Sequence, residues 1–358
     1  MKSVLIGLLL MLLCTSAQAH HSFVAHFDMQ SQIEVRGTVV DFKLRSPHSS
    51  LIVDGISYID GVAQGDEVQR WEVESMATSG MRRMGVNSDS FVPGQGITII
   101  GNPNREPGYR FINSSFFITE DGTRFSFSER AEYEGVESDV LASYSGMEKL
   151  AGRWSSRGGF GTGMLLPLNE RGRQAWEDYD PKLSPANSCE PMNFPDMFNA
   201  PYLFDLSFED DAAVLYNEAW EITRRVPLNG QPVRPRLDGL FGVVRATMDG
   251  ATLVLESGGY IPSRWGLGSA TQKLGGGNDM PSSARKTLVE RFSVSDDGQV
   301  LTYEYSLKDP IYLTSAYSDS HQLFRVADDT PLYDYDCEIE AAAMFSRTPG
   351  DASLQVGE

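Results

Sequence analysis

Hydrophobic and polar residues alternate through residues 33–44, which read IEVRGTVVDFKL and are rich in β-branched side chains. This period of two predicts a strand on a half-buried sheet. The segments SSLIVDG and VQRWEVE predict a second and a third strand. In the next segment, SMATSGMRRMG, Met81 and Met84 lie one helical turn apart and Gly85 follows, which predicts a short helix. The segments GITIIG and GYRFINSSFFI then predict two more strands.

This order of elements is typical of a small five-stranded barrel of the oligonucleotide/oligosaccharide-binding (OB) kind. A Pro93-Gly94 turn fits between the helix and the fourth strand. We predict an OB-like β-barrel domain for residues 20–128. Residues 129–151 are acidic and lack β alternation, so we interpret them as a linker with a helical turn or two.

Hairpin patterns dominate the rest of the chain. In FGVVRATMDGATLVLES, the pair Asp249-Gly250 has the residue types of a two-residue hairpin turn. Such a turn places Met248 opposite Ala251 and Val244 opposite Leu255. The face that these residues share is apolar, which predicts that it points into a core.

A second hairpin is predicted in LVERFSVSDDGQVLTYEYSL, with its turn at Asp297-Gly298. The register pairs the following residues across the strands: Val294 with Leu301, Phe292 with Tyr303, Arg291 with Glu304, and Glu290 with Tyr305. Arg291 and Glu304 share the polar face and predict a surface ion pair. Glu290 stands out, because the register places this carboxylate on the apolar face.

We therefore predict a mainly β protein in which an antiparallel lipocalin-like β-barrel or half-barrel, residues 152–343, follows the OB-like barrel. A β-sandwich is the alternative for this second unit. Its segment 261–286 is long and rich in glycine, as lids over binding sites and mobile connections often are. Residues 344–358 are interpreted as a disordered tail.

The N-terminus has the layout of a secretory signal peptide. Lys2 precedes an apolar run, residues 4–13, and a small-residue ending at Ala17-Gln18-Ala19. The apolar run is too short to cross a bilayer core of about 30 Å, and we expect no membrane span elsewhere. Cleavage after Ala19 would deliver a mature chain that begins at His20 to the periplasm or outside the cell.

The charge and the cysteine content of the chain limit the classes of partner and of covalent link that we expect. The chain carries 49 acidic and 30 basic side chains, a formal net charge of −19. Such a charge repels phosphate backbones and anionic lipid surfaces, so we expect no nucleic-acid partner. Of the three cysteines, Cys14 lies in the leader. In an oxidising compartment the other two, Cys189 and Cys337, are expected to form a disulfide.

Several short motifs resemble a known family. They are AHHSF followed by FD, Pro47-His48, the WEVE at residues 71–74, Gly85-Val86 and PGQGITIIGNP, and later DGATLVLES, VERF and DGQVLTYEYSLKDP. Together they resemble a large family of uncharacterised exported bacterial proteins and the β-rich module often attached to its N-terminal domain. The resemblance implies export and two modules, and it carries no known activity. The chain departs from the pattern at His26, where an acidic residue is commoner, and at the serine pair after His48.

Three of the five histidines cluster where the leader ends. After cleavage, the α-amine and imidazole of His20 could chelate copper(II), with His21 as a further nitrogen donor. His48 is the candidate ligand from the folded domain, and His26 with Asp28 lies behind it. The alternative is an exposed, solvated N-terminus. Met76, Met81 and Met84 could offer thioether ligands, although helical spacing is more typical of core residues.

Glu290 is the second candidate site. A carboxylate inside a barrel can have a raised pKa and act as an acid or base, or it can orient a ligand. We group it with Tyr305 and Trp265 as a predicted ligand pocket. The alternative for Glu290 is a buried hydrogen bond to Tyr305 or an ion pair with an arginine.

Two functions remain open on this basis. The first is an exported binding protein for a small molecule or a metal ion, with copper the candidate metal. The second is a small-molecule enzyme of the hydrolase or isomerase type, with its site around Glu290 in the second β module. Binding requires only a cavity, and it is the function we favour. The sequence decides neither the ligand nor the oligomeric state.

Overall fold

The computed structural model describes residues 26–106, 108–127, 136–137, 141, 143–156, 164–236, 238–270 and 278–344. The predicted leader, His20, His21, most of the predicted linker and the predicted tail after residue 344 lie outside the described residues. Strands make up 47% and helices 13% of the residues that the structure describes, so the protein is mainly β, as predicted.

The first unit contains seven strands and one short helix. The strands are β1 (Ile33–Lys43), β2 (Ser50–Ile59), β3 (Val62–Ala63), β4 (Gln69–Glu74), β5 (Gly96–Pro103), β6 (Phe111–Thr119) and β7 (Arg124–Ser126). The helix α1 (Thr78–Arg83) lies between β4 and β5. Strand β1 pairs with both β2 and β5, and β6 pairs with β5 and, in parallel, with β4. These five strands close into a barrel, which confirms the OB-like prediction.

Glycines allow the strong curvature of this barrel. Gly37 lies opposite Gly55 in the β1–β2 pair. A Cβ atom at Gly37 would lie 2.1 Å from the carbonyl oxygen of Asp54, so no side chain fits there. The barrel is filled by inward-facing side chains that include Val35, Val73 and Phe117, each 0% exposed. Burial of such apolar surface is the main force that stabilises the barrel.

The second unit is a larger antiparallel barrel. Its strands and those of the hairpin beside it are β8 (Gly152–Ser156), β9 (Leu203–Glu209), β10 (Ala212–Asn217), β11 (Ile222–Pro227), β12 (Val243–Asp249), β13 (Thr252–Gly258), β14 (Ser263–Ala270), β15 (Asn278–Ser282), β16 (Thr287–Val294), β17 (Val300–Lys308) and β18 (Tyr317–Val326). Nine of them form one sheet in the order β11-β10-β9-β8-β18-β17-β16-β13-β12. A bridge between Val233 and Val244 joins the segment after β11 to β12, so this barrel is nearly closed.

Large side chains fill the second barrel. They include Trp154, Phe292 and Tyr303, each 0% exposed. Strands β14 and β15 form a separate two-stranded sheet. The helices are α2 (Glu170–Glu177) and α3 (Ile339–Ala342), and short 3-10 helices span Gly146–Lys149, Pro181–Leu183, Pro185–Ser188, Asp196–Asn199 and Ala219–Glu221.

The predicted register of the β16–β17 hairpin is confirmed, including the pairs Glu290–Tyr305 and Val294–Leu301. The predicted register of the β12–β13 hairpin is wrong by two residues, because Met248 faces Leu253 and Val244 faces Ser257. The turn residues are Gly250 and Ala251, and the φ of Gly250 is +62°. A hairpin turn that needs positive φ at its first central residue favours glycine there. A shift of two residues keeps the inward and outward faces unchanged.

The two barrels pack against each other. The Arg83 side chain, from α1, hydrogen-bonds the carboxylate of Glu218, and both side chains are at least 95% buried. The segment after β18 returns to the first barrel, where Ser46 forms a β-bridge with Cys337. Cys337 is disulfide-bonded to Cys189, as predicted. None of the described helices is long and apolar enough to span a membrane.

Candidate functional site

A cavity of about 500 Å³ lies where the two barrels meet. The residues that line it are Met29, Pro47, His48, Glu74, Ser75, Met76, Ala77, Ser79, Gly80, Asn102, Asn113, Ser114, Ser115, Phe127, Pro201 and Tyr202. Most belong to the first barrel, whereas Pro201 and Tyr202 immediately precede β9 of the second. Both units therefore contribute to the lining of the cavity.

The strand order of the first barrel positions Glu74. This residue ends β4, where it pairs with Ser50 of β2 on one side and with Asn113 of β6 on the other. The Ser114 hydroxyl donates a hydrogen bond of 2.7 Å to the Glu74 carbonyl oxygen. Strands on both sides thus hold the Glu74 backbone, so its side chain enters the cavity from a rigid element.

His48 lies in the connection between β1 and β2 and contacts Glu74 directly. Its Nδ1 lies 2.8 Å from Glu74 Oε1. His48 is 9% exposed and Glu74 is 2% exposed, so the pair is shielded from water. An Nδ1–H that donates to the carboxylate leaves the imidazole lone pair on Nε2, a tautomer able to accept a hydrogen bond or a metal ion.

The second oxygen of Glu74 is unusual. Within the part of the chain that the structure describes, Glu74 Oε2 is buried and has no hydrogen-bond partner. Burial raises the pKa of Glu74, and the hydrogen bond from His48 opposes this effect. A buried polar atom without a hydrogen-bond partner costs free energy. A ligand group that donates a hydrogen bond to this oxygen would therefore bind favourably.

The other walls of the cavity are largely apolar. Met29, Met76 and Phe127 come from the first barrel, and Pro201 and Tyr202 complete the walls. Tyr202 packs against Tyr335 with ring centroids 5.3 Å apart, and burial raises its pKa well above 10.0. The Tyr202 hydroxyl is therefore neutral at physiological pH. A few polar groups in an apolar cavity are typical of small-molecule sites.

The structure brings together only part of the predicted metal site. His20 and His21 lie outside the described residues. His48 lines the cavity. His26 is half-buried and is not among the residues that line it. The described residues contain no group of three or more histidine, cysteine, aspartate or glutamate side chains placed to hold a metal ion. The copper site stays a prediction.

The candidate methionines separate into two environments. Met81 is 0% exposed and belongs to the hydrophobic core of the first barrel, and Met84 packs against that core. Met76 also contacts the core, but it lines the cavity as well. The core interpretation therefore holds for Met81, and Met76 is the one of the three whose side chain reaches the candidate site.

Glu290 sits inside the second barrel in a fully paired arrangement. It is 0% exposed, and Arg224 holds it with hydrogen bonds of 2.7 Å and 3.1 Å. The Tyr303 hydroxyl donates a third bond of 3.1 Å. Tyr305 lies opposite Glu290 and contacts Met164 through its hydroxyl, 3.2 Å from the sulfur. This geometry is that of a buried ion pair, and an acid or base role for Glu290 stays a prediction.

Trp265, the third residue of the predicted pocket, lies on β14 rather than in the nine-stranded sheet. It is 3% exposed and packs edge-on against Trp220, with ring centroids 6.3 Å apart. Trp220 in turn packs against Tyr335 at 4.7 Å. Trp265 is thus part of an aromatic cluster near the junction of the barrels, separate from the Glu290–Arg224 pair.

Sequence reasoning missed Glu74. Alternation in VQRWEVE assigns Trp71 and Val73 to the core face and Glu74 to the opposite face, which a single barrel would expose to water. The second unit covers that face, and this long-range packing leaves no local signal. The sequence signal that could identify Glu74 is indirect: it is a carboxylate at the end of a strand, in a motif that also resembles the family.

The comparisons with known proteins give one match. A model described as a family of unknown function, DUF6152, matches residues 9–110. No curated protein matches the chain, and no solved structure does either. The matched range includes His20, His21, His26, strands β1–β5, His48 and Glu74, so the His48–Glu74 pair lies in the part of the chain that is similar to this family.

Proposed function

We propose that this chain is an exported binding protein whose ligand occupies the cavity between the two barrels, with the His48–Glu74 pair as its polar anchor. The observation that carries the proposal is a cavity of about 500 Å³ that contains a buried carboxylate oxygen without a partner. Natural ligand sites have volumes of about 300–1,000 Å³, are mostly apolar, and use a few fixed polar groups.

Export is part of the proposal. The leader-like residues 1–19 and the Cys189–Cys337 disulfide both support an oxidising destination outside the inner membrane. In this scheme residues 20–128 form one module and residues 152–343 the other, joined by the linker at 129–151. The junction between the modules then supplies the site.

Fluorescence of the neutral apolar dye N-phenyl-1-naphthylamine tests the cavity. We expect the mature protein to bind the dye, and Ser115→Phe to weaken binding at least tenfold, because Ser115 lines the cavity. The matched control is Ser320→Phe, which adds the same side chain at an exposed position of β18. Ala77→Leu is the second filling variant in case Ser115→Phe does not fold. Equal dye affinity in the filled variants and the wild type would contradict the proposal.

Copper is a second candidate ligand, favoured by the bond between His48 Nδ1 and Glu74 Oε1. Metal-binding histidines commonly donate one ring N–H to a carboxylate, which orients the other nitrogen towards the metal. Met29, at the cavity, follows His20 by nine positions, a length that an extended chain spans over about 30 Å. A processed N-terminus could therefore reach His48.

Copper(II) titration followed by electron paramagnetic resonance tests this candidate. The chain beginning at His20 is compared with one carrying an extra N-terminal alanine, and with His48→Ala. We expect a nitrogen-ligated copper spectrum in the first chain, with affinity reduced at least tenfold in both others. Equal, weak binding by all three would rule the copper site out.

A further inference from the structure

The charges around the cavity point to one class of ligand. Among the described lining residues, Glu74 is the only carboxylate, and no lysine or arginine is present. His48 contacts Glu74 through Oε1, and among the described residues Oε2 is the buried carboxylate oxygen without a hydrogen-bond partner. An anionic ligand would meet this carboxylate without a compensating cation, and burial would strengthen the repulsion.

We infer that the cavity selects a small organic amine, with its protonated nitrogen against Glu74 Oε2 and its apolar body against Met76 and Phe127. This inference rests on the proposed function and names the ligand class for that same site. A protonated amine carries N–H donors, which can hydrogen-bond a buried carboxylate oxygen. It also carries a positive charge, which compensates the negative charge of the carboxylate. A neutral alcohol would supply a donor without the charge.

Three features of the molecule support the amine. The Glu74 backbone is held between β2 and β6, so the carboxylate is preorganised and loses little freedom on binding. The apolar part of the walls lowers the effective dielectric around the carboxylate, which strengthens a charge-assisted hydrogen bond. The net charge of −19 attracts cations to the protein surface at low salt.

Isothermal titration calorimetry with two matched probes tests the inference. Phenethylamine and 2-phenylethanol share a phenyl ring and a two-carbon chain, and they differ in the charged group. We expect the wild-type protein to bind phenethylamine at least tenfold more tightly than 2-phenylethanol. Glu74→Gln should reduce that preference to less than threefold, whereas Glu304→Gln, on the exposed face of β17, should leave it unchanged.

The outcomes distinguish failure of the amine inference from failure of the proposed binding function. Equal affinity of the wild type for both probes would overturn the inference that the ligand is an amine. If Ser115→Phe still blocked binding of both probes, the proposal that the cavity is the binding site would stand. Failure of both probes to bind, together with failure of the dye, would overturn the proposed function itself. If Glu74→Gln does not fold, 3-phenylpropionate replaces it as the measurement: this anion should bind the wild type more weakly than 2-phenylethanol, and tighter binding would overturn the inference.

Discussion

Two buried carboxylates in this protein meet different surroundings. Glu290 has hydrogen bonds from Arg224 and Tyr303 to its two oxygens, and it lies within a packed barrel. The Glu74 carboxylate lines a cavity, and among the described residues it has one hydrogen bond, to His48, while its other oxygen is buried without a partner. A satisfied ion pair inside a core fits a structural role, whereas a half-satisfied carboxylate beside open space fits a role in binding.

The Glu290–Arg224 pair leads to a prediction about stability. Arg224→Met should lower the free energy of unfolding by about 3–5 kcal/mol, because it leaves the Glu290 charge buried without its partner. The double variant Arg224→Met with Glu290→Met should recover most of that loss, since two apolar side chains can replace a buried ion pair. Urea denaturation followed by circular dichroism measures both effects. A loss below about 1 kcal/mol in the single variant would contradict the structural role.

Lys286 leads to a prediction about pH. It is fully buried, and burial lowers its pKa from 10.5 to about 7, although Glu290, Asp309 and Asp196 act in the opposite direction. Between about pH 7 and 10.5 the unfolded chain therefore binds a proton that the folded chain does not. The free energy of unfolding should rise with pH across this window. Urea denaturation at intervals of one pH unit should show the rise in the wild type and a flatter profile in Lys286→Met; identical slopes would contradict it.

At the scale of elements, the disulfide ties the 3-10 helix Pro185–Ser188 to the segment that carries α3. That segment also forms the Ser46–Cys337 bridge to the first barrel. The disulfide therefore fastens a part of the chain that helps to pack the two barrels together. It closes a loop with a sequence separation of 148 residues, which strongly restricts the unfolded chain.

Removal of the disulfide should destabilise the protein substantially. The chain-entropy estimate for so long a loop is about 5 kcal/mol. We expect the Cys189→Ser and Cys337→Ser double variant to unfold at clearly lower urea concentration than the wild type. Dithiothreitol should lower the wild-type midpoint towards that of the variant and leave the variant unaffected. Coincident curves for oxidised wild type and variant would show that the disulfide adds no stability.

The elements themselves were largely predictable. Alternation located β1, β16 and β17, and the Asp297-Gly298 turn gave the correct β16–β17 register. The same rule fails for β12–β13, because glycine, and not the aspartate before it, is the first turn residue. The disulfide followed from cysteine count and compartment. Local sequence patterns could not reveal that Glu74 would be covered, since the covering residues lie more than a hundred positions away.

At the scale of the whole molecule, the candidate site is formed by residues of both barrels. The residues that line the cavity come from both units, with His48 and Glu74 from the first and Pro201 and Tyr202 from the second. The buried contact between Arg83 and Glu218 holds α1 of the first barrel against the second near the same region. This arrangement explains why separate predictions for each module, around the N-terminal histidines and around Glu290, identified His48 but not Glu74.

The location of the ligand is tested most directly by nuclear magnetic resonance of protein with ¹³C-labelled methionine methyl groups. Met29 and Met76 line the cavity, Met81 lies in the core of the first barrel, and Met164 contacts Tyr305 in the second. On titration with N-phenyl-1-naphthylamine, the Met29 and Met76 signals should shift with dye concentration while the Met164 signal stays in place. Shifts at Met164 with Met29 and Met76 unchanged would place the ligand inside the second barrel and contradict the account.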